Sequence, residues 1–284
     1  VFSRSIVEEA TLRARAGGAL QPIETEALLL EDDGVSFIVR AVSTLQLKKE
    51  ATTATAAADP LGEYDEHLFV TDLNPSHYVL LNKFHVIPGH VLLVTRRFER
   101  QESLLTTDDF AALFACLSEV DGLGFYNGGI DAGASQPRKH LQFVPLPLAP
   151  QSPNEVPMER RLEGGLGLDF SHAFSRIAPR ASAAALHAVY RDLLRECDIS
   201  AVAAAEGELQ SAPYNLLVRR GWMLVVPRSS ACFESIAVNA LGFAGSLFVR
   251  SQQDLERVRT VGPMKVLRAV ALPQAGLRTF GKRG

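Results

Sequence analysis

Two rhythms of apolar and polar positions run along the chain, and each predicts a different kind of element. Between Thr106 and Val120, residues Phe110, Leu113, Phe114 and Leu117 recur at helical spacing on one face. Thr106 or Thr107 can cap that helix, and Asp108 and Asp109 sit at its positive end. Ala183 to Cys197 repeats the pattern with Leu186, Val189, Tyr190, Leu193 and Leu194. Residues 3–16 read as a shorter helix, which Ser3 or Ser5 can cap and Gly17 can end. Ser251 to Val261 and Pro263 to Leu272 read as closing helices. The first opens on a Ser251/Asp254 capping pair and the second on a proline at its first position.

Elsewhere the apolar runs are short and bounded by turn residues, which predicts strands. They are VSFIVRAV (35–42), HLFVTDL (67–73), SHYVLLNKF (76–84), HVLLVTRRF (90–98), GLGFYN (122–127) and RKHLQFV (138–144). YNLLVRRGWMLVVPRS (214–229) reads as a hairpin turning near Arg220-Gly221. The Ala- and Thr-rich stretch Ala51–Asp59 reads as a loop or linker, and the Pro- and Gly-rich stretch Leu148–Gly167 as the boundary between two lobes, 1–150 and 151–284. Helices and antiparallel strand pairs in this arrangement predict an α+β fold. Segments 79–99 and 215–234 each run strand, turn, strand, basic residue; a duplication explains that echo, and so do two generic hairpins.

Composition narrows the class. The 284 residues carry 29 Lys+Arg against 32 Asp+Glu, a formal charge of −3, with 47% apolar and 21% charged residues. That balance suits a globular protein and lacks the basic surplus of a general nucleic-acid or acidic-membrane binder. The longest nearly uninterrupted apolar stretch, Leu241–Val249, falls far short of the ~20 residues of a membrane helix. Val1–Ala16 lacks the apolar stretch of a signal peptide. Three cysteines without a C-x-x-C pair form no disulfide framework, so a reducing, cytoplasmic setting is the default.

The chemistry concentrates in GASQPRKHLQF, Gly133–Phe143. Small loop residues let backbone N–H groups approach an anion. In the strand that follows, alternation puts Arg138, His140 and Gln142 on one face and Lys139, Leu141 and Phe143 on the other. A neutral imidazole beside an amide and loop N–H donors suits attack on phosphorus. The same row also fits a surface strand ending in a polar turn, with His140 merely hydrogen-bonded. No G-K-[ST] follows the glycines, so the loop is not a P-loop. No His/Cys/Asp/Glu grouping has zinc spacing, and His85 and His90 read as positions in a hairpin rather than as a metal pair.

The segment GASQPRKHLQ resembles the active-site motif of the diadenosine tetraphosphate phosphorylases, or ATP adenylyltransferases, a branch of the histidine-triad superfamily. Residues 68–101 resemble that family's N-terminal region, and 214–229 and 238–250 its C-terminal domain. The resemblance implies a histidine-triad-like antiparallel sheet with packed helices, followed by a C-terminal α+β lobe that completes the nucleotide site. It implies phosphorolysis of diadenosine tetraphosphate to ATP and ADP, and the reverse, through an adenylyl-histidine on His140 with Gln142 assisting at the α-phosphate. It assigns ribose and phosphate contacts to Asn127, Gly133, Ala134, Ser135 and Gln136, and further nucleotide contacts to Lys48, Asn82 and Lys83. Asn239, Ala240, Leu241, Ser246 and Arg250 would be brought in by the second lobe.

The partners implied are nucleotides and inorganic phosphate. A divalent cation, Mg or Mn, would accompany the polyphosphate, with no organic cofactor and no protein metal cage; a monomer is compatible with two lobes completing one site. One position departs from the family pattern: Arg138 stands where its motif has the first histidine of an H-x-H pair. Any residue supplies the backbone carbonyl that can orient the catalytic imidazole there, and the Arg138 fork of donors is expected to aid polyphosphate binding. The alternatives are a hydrolase or another nucleotidyltransferase on the same fold, or a non-catalytic nucleotide-binding protein.

Overall fold

The computed structural model describes residues 1–42, 59–165, 167–205 and 207–274. In chain order its strands are β1 (Thr25–Asp32), β2 (Val35–Val42), β3 (Phe69–Asn74), β4 (His77–Leu81), β5 (Val91–Thr95), β6 (Gly122–Gly128), β7 (His140–Pro145) and β8 (Ala173–Arg176). They continue with β9 (Ala201–Ala204), β10 (Gly207–Gln210), β11 (Tyr214–Arg219), β12 (Trp222–Pro227), β13 (Cys232–Phe233), β14 (Ile236–Ala237) and β15 (Ser246–Val249). The helices are α1 (Arg4–Ala16), α2 (Thr107–Glu119), α3 (Glu159–Glu163), α4 (Ala183–Glu196), α5 (Ala240–Phe243), α6 (Gln252–Val261) and α7 (Pro263–Val270).

The fold is α+β. Its centre is an eight-stranded sheet ordered β3-β4-β5-β7-β6-β11-β12-β8, antiparallel at every pairing. The sheet passes without a break from strands before residue 150 to strands after it, through the β6–β11 ladder that sets Asn127 opposite Asn215. Two sequence halves therefore share one sheet. A second, three-stranded sheet, β1-β2-β15, joins them again, since β15 pairs parallel to β2 with Ser246 opposite Ile38.

Alternation along the strands separates the two faces. On one, Leu141, Phe143, Tyr126, Leu216 and Val218 pack against the apolar stripes of α1, α2 and α4 in one core. On the other, Leu123, Phe125, Val144, Leu217 and Leu224 pack against β2, α5 and α7. A smaller apolar patch on that second face, Tyr78 and Leu80 of β4, Leu92 and Val94 of β5 and Leu61 from the segment before β3, stays separate. The gap between this patch and the elements of the chain's second half is the cleft described below. The helix ends follow local chemistry: Thr106 caps α2 in a capping box with Asp109, Ser3 caps α1, and Ser251 caps α6. Strands β1, β8 and β15 are not predicted by pattern. β1 and β15 gain their partners only through β2, and β8 adds at the edge beyond β12.

Candidate active site

A cleft of about 1080 Å³ opens on the second face of the large sheet. Its walls come from both halves of the chain. Leu80, Asn82, Lys83, His90, His140 and Gln142 line one side, and Ile236, Val238, Asn239, Ser246 and Arg250 the other. Asn127 and Gly133–Gln136 lie between them.

His140 opens β7 and is almost fully buried. Its Nδ1 stands 2.8 Å from the carbonyl oxygen of Arg138. A carbonyl only accepts, so the proton of the neutral ring resides on Nδ1 and the lone pair on Nε2. Nε2 has no hydrogen-bond partner among the described residues. Burial lowers the His140 pKa below 6.5, against the opposing pull of the Arg138 carbonyl, so the ring is neutral at pH 7. The peptide of His140 is held at both ends by one side chain. Gln101 Oε1 accepts from His140 N at 2.9 Å, and Gln101 Nε2 donates to the carbonyls of Asn127, at 2.9 Å, and His140, at 3.3 Å. Gln101 thus ties β7 to β6 where their own ladder has ended at Phe125–Gln142. Nothing in the sequence around Gln101 signals this, because both partners lie far along the chain.

Gln142, two residues on, lines the cleft, and its Oε1 lies 2.9 Å from His90 Nε2. Asn127 Oδ1 accepts from Asn215 Nδ2 and from the backbone N–H of Ala240, both at 2.9 Å. With its oxygen so engaged, Asn127 keeps its Nδ2 donor for the cleft. Arg228, buried and facing no carboxylate among the described residues, gathers the carbonyls of Ala132, Ser230, Val238 and Val270 and the side chain of Asn215. Burial brings its pKa down to about 10. This guanidinium joins the glycine-rich loop to the segment that carries Asn239.

The loop itself is more closed than its composition suggests. The N–H groups of Ala132, Gly133 and Ala134 bond back to Gly129 and Ile130, while those of Ser135 and Gln136 have no partner among the described residues. Gly133 has φ +88°, and a Cβ there would lie 2.7 Å from the Val238 carbonyl oxygen. Only glycine lets the loop approach the second half so closely.

Of the sequence-predicted positions, Asn82, Lys83, Asn127, Gly133–Gln136, His140, Gln142, Asn239, Leu241, Ser246 and Arg250 all line the cleft. Lys48 lies outside the described residues. Ala240 does not line the cleft; it is fully buried behind Asn127. Asn239 Oδ1 caps α5 by accepting from Leu241 N at 3.0 Å. Arg138 corrects the expectation of a polyphosphate contact. Its Nε reaches both oxygens of Asp59 at 3.0 Å, its Nη2 reaches Oδ2 at 2.5 Å, and its Nη1 donates to the carbonyls of Thr95 and Arg96. That hydrogen-bonded pairing raises the Arg138 pKa and lowers that of Asp59. The side chain clamps the chain before β3 onto the end of β5, and the backbone carbonyl alone serves His140. Sequence reasoning missed Arg40. It is a buried cation on β2 that lines the cleft, donates from Nη2 to the Leu148 carbonyl at 2.7 Å and has no partner for Nε among the described residues. The available signal was a lone charge in the apolar run VSFIVRAV.

A buried, neutral imidazole on a strand that lines a cleft of amide and cationic donors suits nucleophilic attack on phosphorus. Residues 3–164 match the family model described as the Ap4A phosphorylase N-terminal domain, and residues 166–273 the one described as the ATP adenylyltransferase C-terminal domain. The chain belongs to the Ap4A phosphorylase family, Ap4A being diadenosine tetraphosphate. A relative in Saccharomyces cerevisiae, diadenosine 5',5'''-P1,P4-tetraphosphate phosphorylase 2, is 29% identical over 297 residues, covering 89% of this chain and 88% of its own. Protein APA1 of the same yeast is 27% identical over 294 residues, with the same coverage. The crystal structure of yeast Ap4A phosphorylase Apa2 in complex with Ap4A superposes with a TM-score of 0.79 at 25% identity, covering 96% of this chain and 99% of that one. The complex of Apa2 with AMP gives 0.78 at 26% identity, covering 97% and 98%.

Among the described residues no group of three or more His, Cys, Asp or Glu side chains could hold a metal ion, and no helix is long and apolar enough to cross a membrane.

Proposed function

We propose that this chain cleaves Ap4A with inorganic phosphate to give ATP and ADP, and runs the reverse adenylyl transfer, by two displacements at one phosphorus. Nε2 of His140 attacks the α-phosphorus; the new N–P bond forms as the bond to the bridging oxygen breaks, and ATP leaves. An oxygen of inorganic phosphate then attacks the adenylyl-histidine, the N–P bond breaks, and ADP leaves with the imidazole restored. The observation that carries this reading is the Nδ1 contact to the Arg138 carbonyl, which puts the lone pair of a neutral ring on Nε2. Family membership and the relative solved with Ap4A support the substrate.

The remaining cleft groups have roles that follow from their chemistry. The Gln142 amide donates to a non-bridging α-oxygen, where charge redistributes in the transition state. The N–H groups of Ser135 and Gln136 and the Asn127 amide hold ribose and phosphate. Lys83, Arg40 and Arg250 offset the charge of the polyphosphate within the cleft. The substrate arrives with Mg or Mn bound to its own phosphate oxygens. Both cleft walls come from one chain, which supports a monomeric catalytic unit. An assay of Ap4A turnover with and without phosphate, with products resolved, tests the reading. ATP and ADP formed only with phosphate is the expected result. AMP formed without phosphate makes the chain a hydrolase, and tight nucleotide binding with no product makes it a binding protein.

A further inference from the structure

We infer that His90 is a positioning residue: it fixes the direction of the Gln142 amide, so that the oxygen is held away and the NH2 group faces the reacting phosphate. The inference rests on the adenylyl transfer proposed above, and its evidence is a chain of hydrogen bonds whose directions follow from a single fixed donor. The backbone N–H of Phe84 can only donate, and it lies 3.1 Å from Asn82 Oδ1. The other end of the Asn82 amide is therefore NH2, and it donates to His90 Nδ1 at 3.2 Å. A neutral His90 that accepts at Nδ1 carries its proton on Nε2. That proton points to Gln142 Oε1 at 2.9 Å. The Gln142 oxygen is thus engaged, and its two N–H donors are left for the cleft.

The ring is held where this relay needs it. The backbone N–H of Asn82 donates to the His90 carbonyl at 3.1 Å, and that of His90 donates to the Ile87 carbonyl at 3.2 Å. The imidazole also packs against Phe125, with centroids 5.6 Å apart. Burial brings the His90 pKa down to about 4, so the relay stays neutral across the working pH range. A rotated amide would present its oxygen to the phosphate, and two acceptors facing one another repel. Direction, rather than presence, of the amide is what His90 supplies. Histidines 90 and 140 then have opposite tautomers, Nε2–H in the relay and Nδ1–H in the nucleophile; a backbone carbonyl sets the second directly, and the Phe84 N–H sets the first through the Asn82 amide.

Long-range proton–nitrogen correlation spectra of the full chain labelled with 15N-histidine read the two tautomers without any turnover. The expected result is a proton on Nε2 of His90 and on Nδ1 of His140; a His90 protonated on Nδ1 overturns the inference. Kinetics supply the second arm. His90→Phe removes the donor and is expected to lower kcat about tenfold or more, with KM for Ap4A little changed, because the amide contact matters most in the transition state. His90→Gln offers an amide donor at the same place and is expected to restore most of kcat. Equal loss in both variants, or a loss confined to KM, overturns the positioning role. A chain that shows both tautomers yet phosphorolyses no Ap4A overturns the proposed function and leaves the relay standing.

Discussion

Strand β7 has two sides that solve opposite problems. Its cleft side carries His140 and Gln142, and their neighbours are carbonyls, amides and a neutral imidazole. Just before the strand, Lys139 turns to the other side and enters a closed ionic cluster. Its Nζ lies 2.7 Å from Asp109 Oδ2 and 2.7 Å from Glu99 Oε2, and His77 Nε2 lies 2.9 Å from Asp109 Oδ1. Asp109 is wholly buried; burial pushes its carboxyl up, but His77 and Lys139 outweigh that and hold it at about 2. The difference has a physical cause. A carboxylate beside His140 would draw a proton onto the nucleophile and repel a polyanion, so the reacting side holds its groups with uncharged partners. Behind the strand nothing needs to react, and charge is neutralised by charge where it pins α2 to the sheet.

Removing His140, the proposed nucleophile, separates the two sides most sharply. His140→Ala is expected to lower phosphorolysis by roughly 10³-fold or more while the fold and nucleotide binding persist. Retention of the labelled adenylyl group on the protein checks it, and full labelling in the variant would refute His140 as the nucleophile. The rear cluster should respond in stability instead. Asp109→Ala leaves buried Lys139 with Glu99 alone, takes the partner from His77 and breaks the α2 capping box, and is expected to cost about 3–5 kcal/mol, read from denaturant midpoints. Gly133→Ala attacks the junction between the loop and the second half. The positive φ and the Val238 carbonyl together should cost about 1–3 kcal/mol, and KM for Ap4A should rise as the cleft walls part.

Acid should act on the two sides through different groups, whose order of titration the experiment reads. The His140 pKa lies below 6.5, so activity is retained at pH 7 and kcat/KM falls about tenfold per pH unit once pH drops beneath the folded pKa. Asp109 has a depressed folded pKa, so its contribution to stability is full above 3.8 and disappears as pH falls toward about 2. Comparing a pH–rate profile with acid unfolding of the same preparation checks the order; simultaneous loss would mean that one event governs both. The smallest effect belongs to Arg138→His. It loses the Asp59 clamp, worth about 1 kcal/mol in thermal unfolding, and leaves kcat nearly unchanged because the backbone carbonyl still orients His140.

Local chemistry was legible wherever a few neighbouring residues decide the outcome. Thr106 and Asp109 announced the start of α2, Pro263 that of α7, and the β4–β5 and β11–β12 hairpins declared themselves through apolar runs broken by turn residues. The resemblance carried by the motif pointed to His140 as the nucleophile, where the residues alone left a merely hydrogen-bonded histidine open; the Arg138 carbonyl that orients its ring lies only two residues away. Partners chosen across the fold were another matter. The sequence stretch that reads as a boundary, Leu148–Gly167, does not interrupt the sheet, because a strand's ladder donors and acceptors are satisfied equally well by a distant strand as by a near one.

The same reason explains each residue read differently in three dimensions. Arg138 could be recognised as a cation, but whether it meets a phosphate or Asp59 depends on a chain segment about eighty residues away. Gln101 and Arg228 gave no local pattern, and Arg40 only a lone charge in an apolar run, because the contacts that give them their place come from distant segments. His90 read as a loop or strand position in a hairpin, and only the distances to Asn82 and Gln142 give its ring a direction. Periodicity determined the main helices and the longer strands, and the family resemblance carried by the motif pointed to the reaction class and to His140. The tertiary structure decided which groups face the cleft and which way each donor points, because hydrogen-bond direction is set by partners in space and not by spacing along the chain.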